Sequence, residues 1–323
     1  MILKTLEPLY HLASSFKNFL YGQKIIKSVQ LKASVISVGN LSFGGTGKTP
    51  CIELLANELC TAFDVAIVCR SYKASLTAPA EVILTNPASA AHYGDEACYL
   101  KSKLAKCRVW AGRKKYATAQ LADLSGPDII LIDDGFSHRK LNRDFDLVLF
   151  DATQPSDYLR ERMQSLNRAQ AVLITKINLA PASHIKELIQ KLKVAAPNLT
   201  DSIFYAESQT SLAVPISKPL FLFCGIAKPE SIKASLQILG YSIVHSEFFS
   251  DHYQYDINHE KKIWEKYSEM KKNLPDLALV TTAKDQIKLT NPELVNAVQI
   301  AQHKMILTES DKVGLIEKIR SNL

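Results

Sequence analysis

The chain has 323 residues, enough for two domains or one large one. Apolar residues make up 47% and charged residues 22%, which excludes a disordered, collagenous or coiled-coil rod chain; no apolar run reaches the length of a spanning helix. Lysine and arginine (39) exceed aspartate and glutamate (32) by seven, a modest excess that suits nucleic acid, anionic lipid or phosphorylated substrates and equally a solvated lysine-rich surface.

Residues 3–30 form a helical pattern broken at Pro8, with Leu9, Leu12, Phe16, Phe19 and Leu20 at helical spacing and lysines alongside. Such a stripe either packs on its own domain or lies in a membrane interface. The first residues lack the layout of a signal peptide. Short apolar runs follow at Val35–Val38, Val65–Val68, Val82–Leu84, Val109–Trp110, Ile129–Ile132, Leu147–Phe150 and Val172–Ile174. Helical patterns separate several of them, notably over 49–62, 95–105 and 113–124. This rhythm predicts a mostly parallel α/β sheet with helices on both faces, and the Gly-rich turn at 39–50 makes it phosphate-loop nucleotide-hydrolase-like. Pro197 and the pair Pro215 and Pro219 punctuate the chain, and the rhythm then restarts. A boundary near 213 divides a first domain, 1–212, from a smaller α/β domain, 213–323. There a strand is expected at Leu220–Cys224, a helix at Pro229–Leu239, a strand from Ile243, a helix over 256–272 and a strand at Leu277–Val280. The six cysteines (51, 60, 69, 98, 107, 224) form no C-x-x-C and sit among apolar residues, as buried reduced thiols do.

The strand at Val35–Val38 runs into Gly39-Asn40-Leu41-Ser42-Phe43-Gly44-Gly45-Thr46-Gly47-Lys48-Thr49-Pro50, ahead of a helix. Glycines let backbone N–H groups approach phosphate oxygens, and the helix N-terminus favours an anion. Residues 42–49 are therefore the candidate nucleotide-binding turn, with Lys48 on the β/γ-phosphates and Thr49 on Mg²⁺. Ser42 stands where the common motif has its first glycine. Phe43, where partitioning ATPases carry lysine, argues against that class. Thr175-Lys176-Ile177-Asn178 sits where guanine readers place N-K-x-D, but Asn178 replaces the carboxylate, so ATP is expected.

Ile129–Ile132 ends in Asp133-Asp134-Gly135-Phe136-Ser137-His138. A carboxylate there emerges beside the phosphate turn and can serve Mg²⁺. Asp95-Glu96 opens a helix after Gly94. Both acids serve as helix-start charges, and Asp95 could also accept a proton from an attacking hydroxyl. Asp251-His252-Tyr253 carries little weight by spacing alone. Thr281-Thr282-Ala283-Lys284-Asp285 is accounted for by capping from Thr282.

Taken together these segments resemble the tetraacyldisaccharide 4'-kinase family of lipid A biosynthesis. The resemblance rests on residues 39–50, Gly94-Asp95-Glu96, Asp133-Asp134-Gly135 with His138, Gly225-Ile226 with Pro229-Glu230, and Asp251-His252-Tyr253, in family order over about residues 30–290. It implies γ-phosphoryl transfer from ATP, with Mg²⁺, to the 4'-hydroxyl of an acylated glucosamine disaccharide 1-phosphate. It implies Asp95 as base, oriented by His252 from the other domain, with Lys48 on the phosphates. Thr49, Asp133, Asp134 and Glu96 would serve the metal. His138, Arg160, Glu161 and Asp251 would be supporting residues. The implied setting is the cytoplasmic face of the inner membrane, peripherally bound, with neither nucleic acid nor an obligate protein partner. The family's R-G-Y reads Arg70-Ser71-Tyr72, its glutamine in D-D-G-x-Q-H is Ser137, and its T-E-K-D reads Thr282-Ala283-Lys284-Asp285. Its loop before the Arg-Glu pair is shortened to Gln154–Glu161. Two other classes stand beside this reading. One is a regulatory or chaperone nucleotide hydrolase without a lipid acceptor. The other is a basic nucleic-acid module, against which the lack of aromatic–basic interleaving counts.

Overall fold

The computed structural model of the chain describes residues 18, 20–23, 25–42, 45–84, 89–154 and 159–323. The expected N-terminal stripe, apart from Leu20, lies outside these residues, as do Phe43 and Gly44 of the phosphate turn.

The apolar runs become strands β1 (Ser34–Asn40), β2 (Val65–Arg70), β3 (Ala80–Glu81), β4 (Arg108–Gly112), β5 (Ile129–Asp133), β6 (Phe145–Asp151), β7 (Ala171–Thr175) and β8 (Ile203–Ser211). Four more follow: β9 (Leu220–Cys224), β10 (Ile243–Phe248), β11 (Ala278–Thr282) and β12 (Gln299–Leu307). Val82–Leu84, expected as a strand, is not one. The two-residue β3 precedes it and pairs antiparallel with β4, and Val82 adds one bond to the Val109 carbonyl before the chain turns outward, exposing Ile83 and Leu84.

The described strands share one sheet in the order β10-β9-β11-β12-β8-β7-β6-β1-β5-β2-β4-β3. Neighbours are parallel except β12–β8 and β4–β3. Alternation along each strand feeds two faces. On β5, Ile129 and Leu131 enter one core, while Ile130 and Ile132 enter another. On β7, Ala171 and Leu173 join the first of these, while Val172 and Ile174 face a third. Helix α1 (Lys48–Leu59) covers the first face through Cys51, Ile52 and Leu55. Helices α2 (Ser89–Tyr93) and α3 (Asp95–Lys103) follow on that side. The opposite face is covered by α4 (Lys115–Asp123) and α5 (Ala182–Ala195).

Beyond residue 213 the pattern repeats. Phe221 and Phe223 pack toward α7 (Ile257–Asn273), and Leu220, Leu222 and Cys224 toward α6 (Pro229–Ile238). Single-turn α8 (Ala283–Gln286) and α9 (Pro292–Ala297) lead to β12. The last helix, α10 (Glu309–Arg320), returns Leu315, Ile316 and Ile319 to the core beneath α1.

From β1 the chain runs out through β2 and β4 toward one edge, returns with β5 between β1 and β2, and then crosses to β6, β7 and β8 on the other side of β1. The reversal opens a crevice at the C-terminal ends of the strands beside β1, where ligands bind in open α/β sheets. Close backbone contact shapes that end. A Cβ on Gly39 would stand 2.5 Å from the Phe136 Cβ and 2.9 Å from its amide nitrogen. Gly39→Ala is therefore expected to lower stability by roughly 2–3 kcal/mol and to push the Asp133–Phe136 turn aside. Denaturant unfolding checks this, and an unchanged midpoint would show that the contact relaxes freely.

Candidate active site

Gly47 adopts a φ of 89° and ends the phosphate turn, and α1 begins at Lys48. No side chain caps α1, so the N–H groups of its first turn are left for an anion. The turn is held from β7. Thr175 Oγ1 donates to the Thr46 carbonyl at 3.0 Å, and Lys176 Nζ donates to the Gly45 carbonyl at 3.0 Å while pairing with Asp151. Asn178 accepts from the Ser208 amide (2.9 Å) and donates to the Ser208 carbonyl (3.0 Å). The segment that resembled a base reader is thus engaged in bracing the scaffold. Lys48 Nζ reaches Asn40 Oδ1 at 3.4 Å and Asp134 Oδ1 at 3.8 Å.

Asp133 and Asp134 end β5 in different environments. Asp134, at a φ of 49°, meets Lys115 at 3.5 Å and Arg160 at 3.8 Å as well as Lys48. Burial would raise its pKa, but Lys115, Lys48 and Arg160 outweigh it and hold the carboxyl below the usual range. Asp133 is 4% exposed, and its Oδ1 has no hydrogen-bond partner. Burial, then the charge of Glu96, pushes its pKa up to about 7 against the pull of Lys115 and Lys48.

Gly94, at a φ of 100°, lets the chain turn into α3, whose first residues are Asp95 and Glu96. His252 arrives from 157 residues away, and its Nδ1 lies 2.8 and 3.0 Å from the two Asp95 oxygens. The hydrogen bond with Asp95 raises the histidine's pKa more than burial lowers it, so the ring is biased toward the proton and Nδ1 donates. Burial would raise Asp95, but the bond and charge of His252, with Lys284 and Lys288, hold it below the usual range. Tyr72 meets the His252 ring edge-on at 5.2 Å, and Lys73 Nζ donates to the Asp251 carbonyl at 3.3 Å. Thr49 Oγ1 donates to Glu96, and Lys284 Nζ reaches both, at 3.1 and 2.9 Å.

Lys48, Thr49, Asp95, Glu96, Asp133, Asp134, Arg160 and His252 thus converge at one edge of the sheet. Residues 159 and 160 of the shortened segment join them, because Ser42 bridges to Leu159 and the Arg160 amide donates to the Leu41 carbonyl. Asp251 stays at the rim, its Oδ2 3.8 Å from His252 Nε2. Glu161 is turned to Arg168 (3.0 Å) and Asn18 (3.1 Å), and the His138 ring stacks on Tyr116 at 6.3 Å. Lys284, Lys115 and Asn40 were not singled out by sequence reasoning; the Lys of the T-E-K-D-like segment was the available signal for Lys284.

Two buried polar atoms without partners, Thr46 Oγ1 in the phosphate turn and Asp133 Oδ1 beside it, fit a polyphosphate and its cation. Among the described residues no three His, Cys, Asp or Glu cluster as a metal cage. Mg²⁺ needs none, since one or two carboxylates plus phosphate oxygens hold it in such sites.

A family model described as LpxK, tetraacyldisaccharide-1-P 4'-kinase, matches residues 1–323. The chain is 32% identical over 339 residues to the tetraacyldisaccharide 4'-kinase of Bdellovibrio bacteriovorus, covering 98% of this chain and 97% of that one. It is 34% identical over 316 residues to the enzyme of that name from Flavobacterium psychrophilum, covering 89% and 87%. Among solved structures it is similar to "apo" form LpxK from Aquifex aeolicus in complex with ATP, with a TM-score of 0.70, 25% identity and 99% of each chain covered.

The environment of Asp133 has a consequence for stability. The folded protein keeps this proton to about pH 7, whereas the side chain ordinarily loses it near 3.8. Across that window the folded state binds the additional proton, so this group makes stability fall as pH rises. Asp133→Asn is expected to remove that slope and to raise the melting temperature of metal-free protein at pH 8 by about 3–6 °C. Melting scans from pH 4 to 8 check it; a variant melting below the parent at pH 8 would contradict the assignment.

Proposed function

The chain belongs to the tetraacyldisaccharide-1-P 4'-kinase family over its whole length, and we propose that Asp95, paired with His252, is the base of its phosphoryl transfer. The chain is a kinase of lipid A biosynthesis that uses ATP with Mg²⁺ to phosphorylate the 4'-position of the tetraacylated disaccharide. The observation that carries the site assignment is the 2.8 Å contact between His252 Nδ1 and Asp95. It joins the segment after β10 to the start of α3, beside the phosphate turn.

Phosphoryl transfer asks little covalent chemistry of a protein; positioning and charge neutralisation dominate. The first N–H groups of α1, Thr46 and Lys48 take the triphosphate tail. Thr49, Glu96 and Asp133 would hold Mg²⁺, which would supply charge neutralisation for the phosphates. Asp134 is already matched by Lys48, Lys115 and Arg160, so its role is to hold those cations at the crevice. The acceptor hydroxyl loses its proton late, as its bond to phosphorus forms, so a carboxylate of lowered pKa is basic enough. Asp95 takes that proton while His252 fixes its orientation and offsets its charge.

We place the division of the chain near residue 213, so that Asp95 and His252 come from different units. Base and phosphate turn are then complete only when the units are together, which disfavours transfer to water. We also place the enzyme at the cytoplasmic face of the inner membrane, because a four-chain lipid acceptor resides in a bilayer. No helix among the described residues is long and apolar enough to cross one.

With ATP–Mg²⁺ and the purified disaccharide 1-phosphate, Asp95→Asn is expected to lower kcat by roughly 10²–10⁴ while ATP binding stays within about threefold. Unchanged turnover would remove Asp95 from the mechanism. Lys48→Ala is expected to weaken ATP binding itself, measured by calorimetry. Sedimentation with anionic vesicles checks the membrane assignment, and a chain left wholly in the supernatant would count against it.

A further inference from the structure

Lys284 lies outside every role given above. It is the second residue of α8, the single turn that Thr282 caps at the end of β11. Its neighbours fix that turn firmly. Asp285 accepts from the Gly225 amide, the Thr282 hydroxyl and the Tyr255 hydroxyl, and it pairs with Lys288 at 2.7 Å. From this anchored base the Lys284 side chain reaches across the crevice. Its Nζ donates to Thr49 Oγ1 at 3.1 Å and to Glu96 Oε1 at 2.9 Å, residues 235 and 188 positions away. Thr49 itself donates to Glu96, so ammonium, hydroxyl and carboxylate close a ring of hydrogen bonds.

Burial disfavours the charge on Lys284, but Glu96, followed by Asp95 and Asp133, outweighs it and keeps the ammonium charged. The oxygens it holds belong to two of the three residues that the reading above gives to Mg²⁺. Two cations crowded onto one hydroxyl and one carboxylate repel each other, so the pair serves one at a time. The lysine stem is long, flexible and half-buried, and its ammonium is a compact point charge able to move between anionic partners. In the loaded enzyme the triphosphate tail, held at the turn before α1, is an alternative anion for it.

We propose that Lys284 is an exchangeable cation of the phosphoryl-transfer site: it holds the Thr49–Glu96 pair, yields it to Mg²⁺, and then carries its charge to the transferring phosphoryl group. This rests on Thr49 and Glu96 being metal residues. It makes α8 a second contribution of the C-terminal unit to the chemistry, beside His252. It also couples metal loading to the grip of that unit on the nucleotide.

The test is a Mn²⁺ titration of the full chain with ADP, followed by electron paramagnetic resonance. With its competitor removed, Lys284→Met is expected to bind Mn²⁺ about five- to tenfold tighter, while Lys284→Arg, which keeps a cation there, stays within about twofold of the parent. Lys284→Gln gives the same readout should the Met variant fail to fold. In turnover, the neutral variants are expected to lose about 30- to 100-fold in kcat with KM for ATP within about threefold, as for a group acting on the transferring charge. Unchanged or weaker Mn²⁺ binding in the neutral variants overturns the exchange. Glu96→Gln separates this from a failure of the underlying reading. If it weakens Mn²⁺ binding, the metal assignment stands and only the exchange is lost; if it does not, the metal assignment fails and the proposal with it.

Discussion

The site depends on crowding four carboxylates, Asp95, Glu96, Asp133 and Asp134, at one end of one sheet. Burial, and then the like charge of Glu96, pushes Asp133 up to about 7. The fold answers with cations drawn from separate parts of the chain. Lys48 comes from the phosphate turn, Lys115 from α4, Arg160 from the segment after β6, and His252 and Lys284 from beyond β10 and β11. Only the folded arrangement brings this balance together. Asp133 is the acid least matched by protein cations, and its Oδ1 has no hydrogen-bond partner.

Backbone conformation bears the same imprint. Among the described residues, the non-glycine positions with left-handed φ are Lys73, Asp134, Lys176 and His252. All four border the crevice: Lys73 holds the Asp251 carbonyl, Asp134 gathers three cations, Lys176 grips the phosphate turn, and His252 meets Asp95. Such conformations cost on the order of 1–3 kcal/mol each and persist where surrounding contacts over-determine them. Their concentration here marks the region whose geometry is held most tightly by its neighbours.

Much of this was legible in the sequence because it is written locally. The parallel sheet followed from uninterrupted apolar runs, the phosphate turn from the glycine-rich residues 39–50 at the end of a strand, and the Asp133–Asp134 pair from a strand ending in acids. What escaped was either long-range or patterned against expectation. Lys284 acts on residues 235 and 188 positions earlier, and the local cap by Thr282 offered a sufficient explanation of its segment. Strands β8 and β12 are half-exposed and polar, so neither carries the apolar run that signals a buried strand. Val82–Leu84 has such a run but stands at the sheet's edge, where one backbone bond replaced a full pairing. His252 was weightless by spacing and came into view only through the family resemblance.

The placement of β12 governs how the protein can be made. It is the last of the described strands to leave the ribosome, yet in the finished sheet it lies between β11 and β8. Until residues 299–307 emerge, a nascent chain presents two unpaired strand borders, one on each side of the gap that β12 fills. Met305, which stands 3.1 Å from where a Cβ on Gly47 would lie, is delivered to the phosphate turn by the same strand. Addition of β12 therefore joins both halves of the sheet at once, and until that step the open borders are exposed to aggregation.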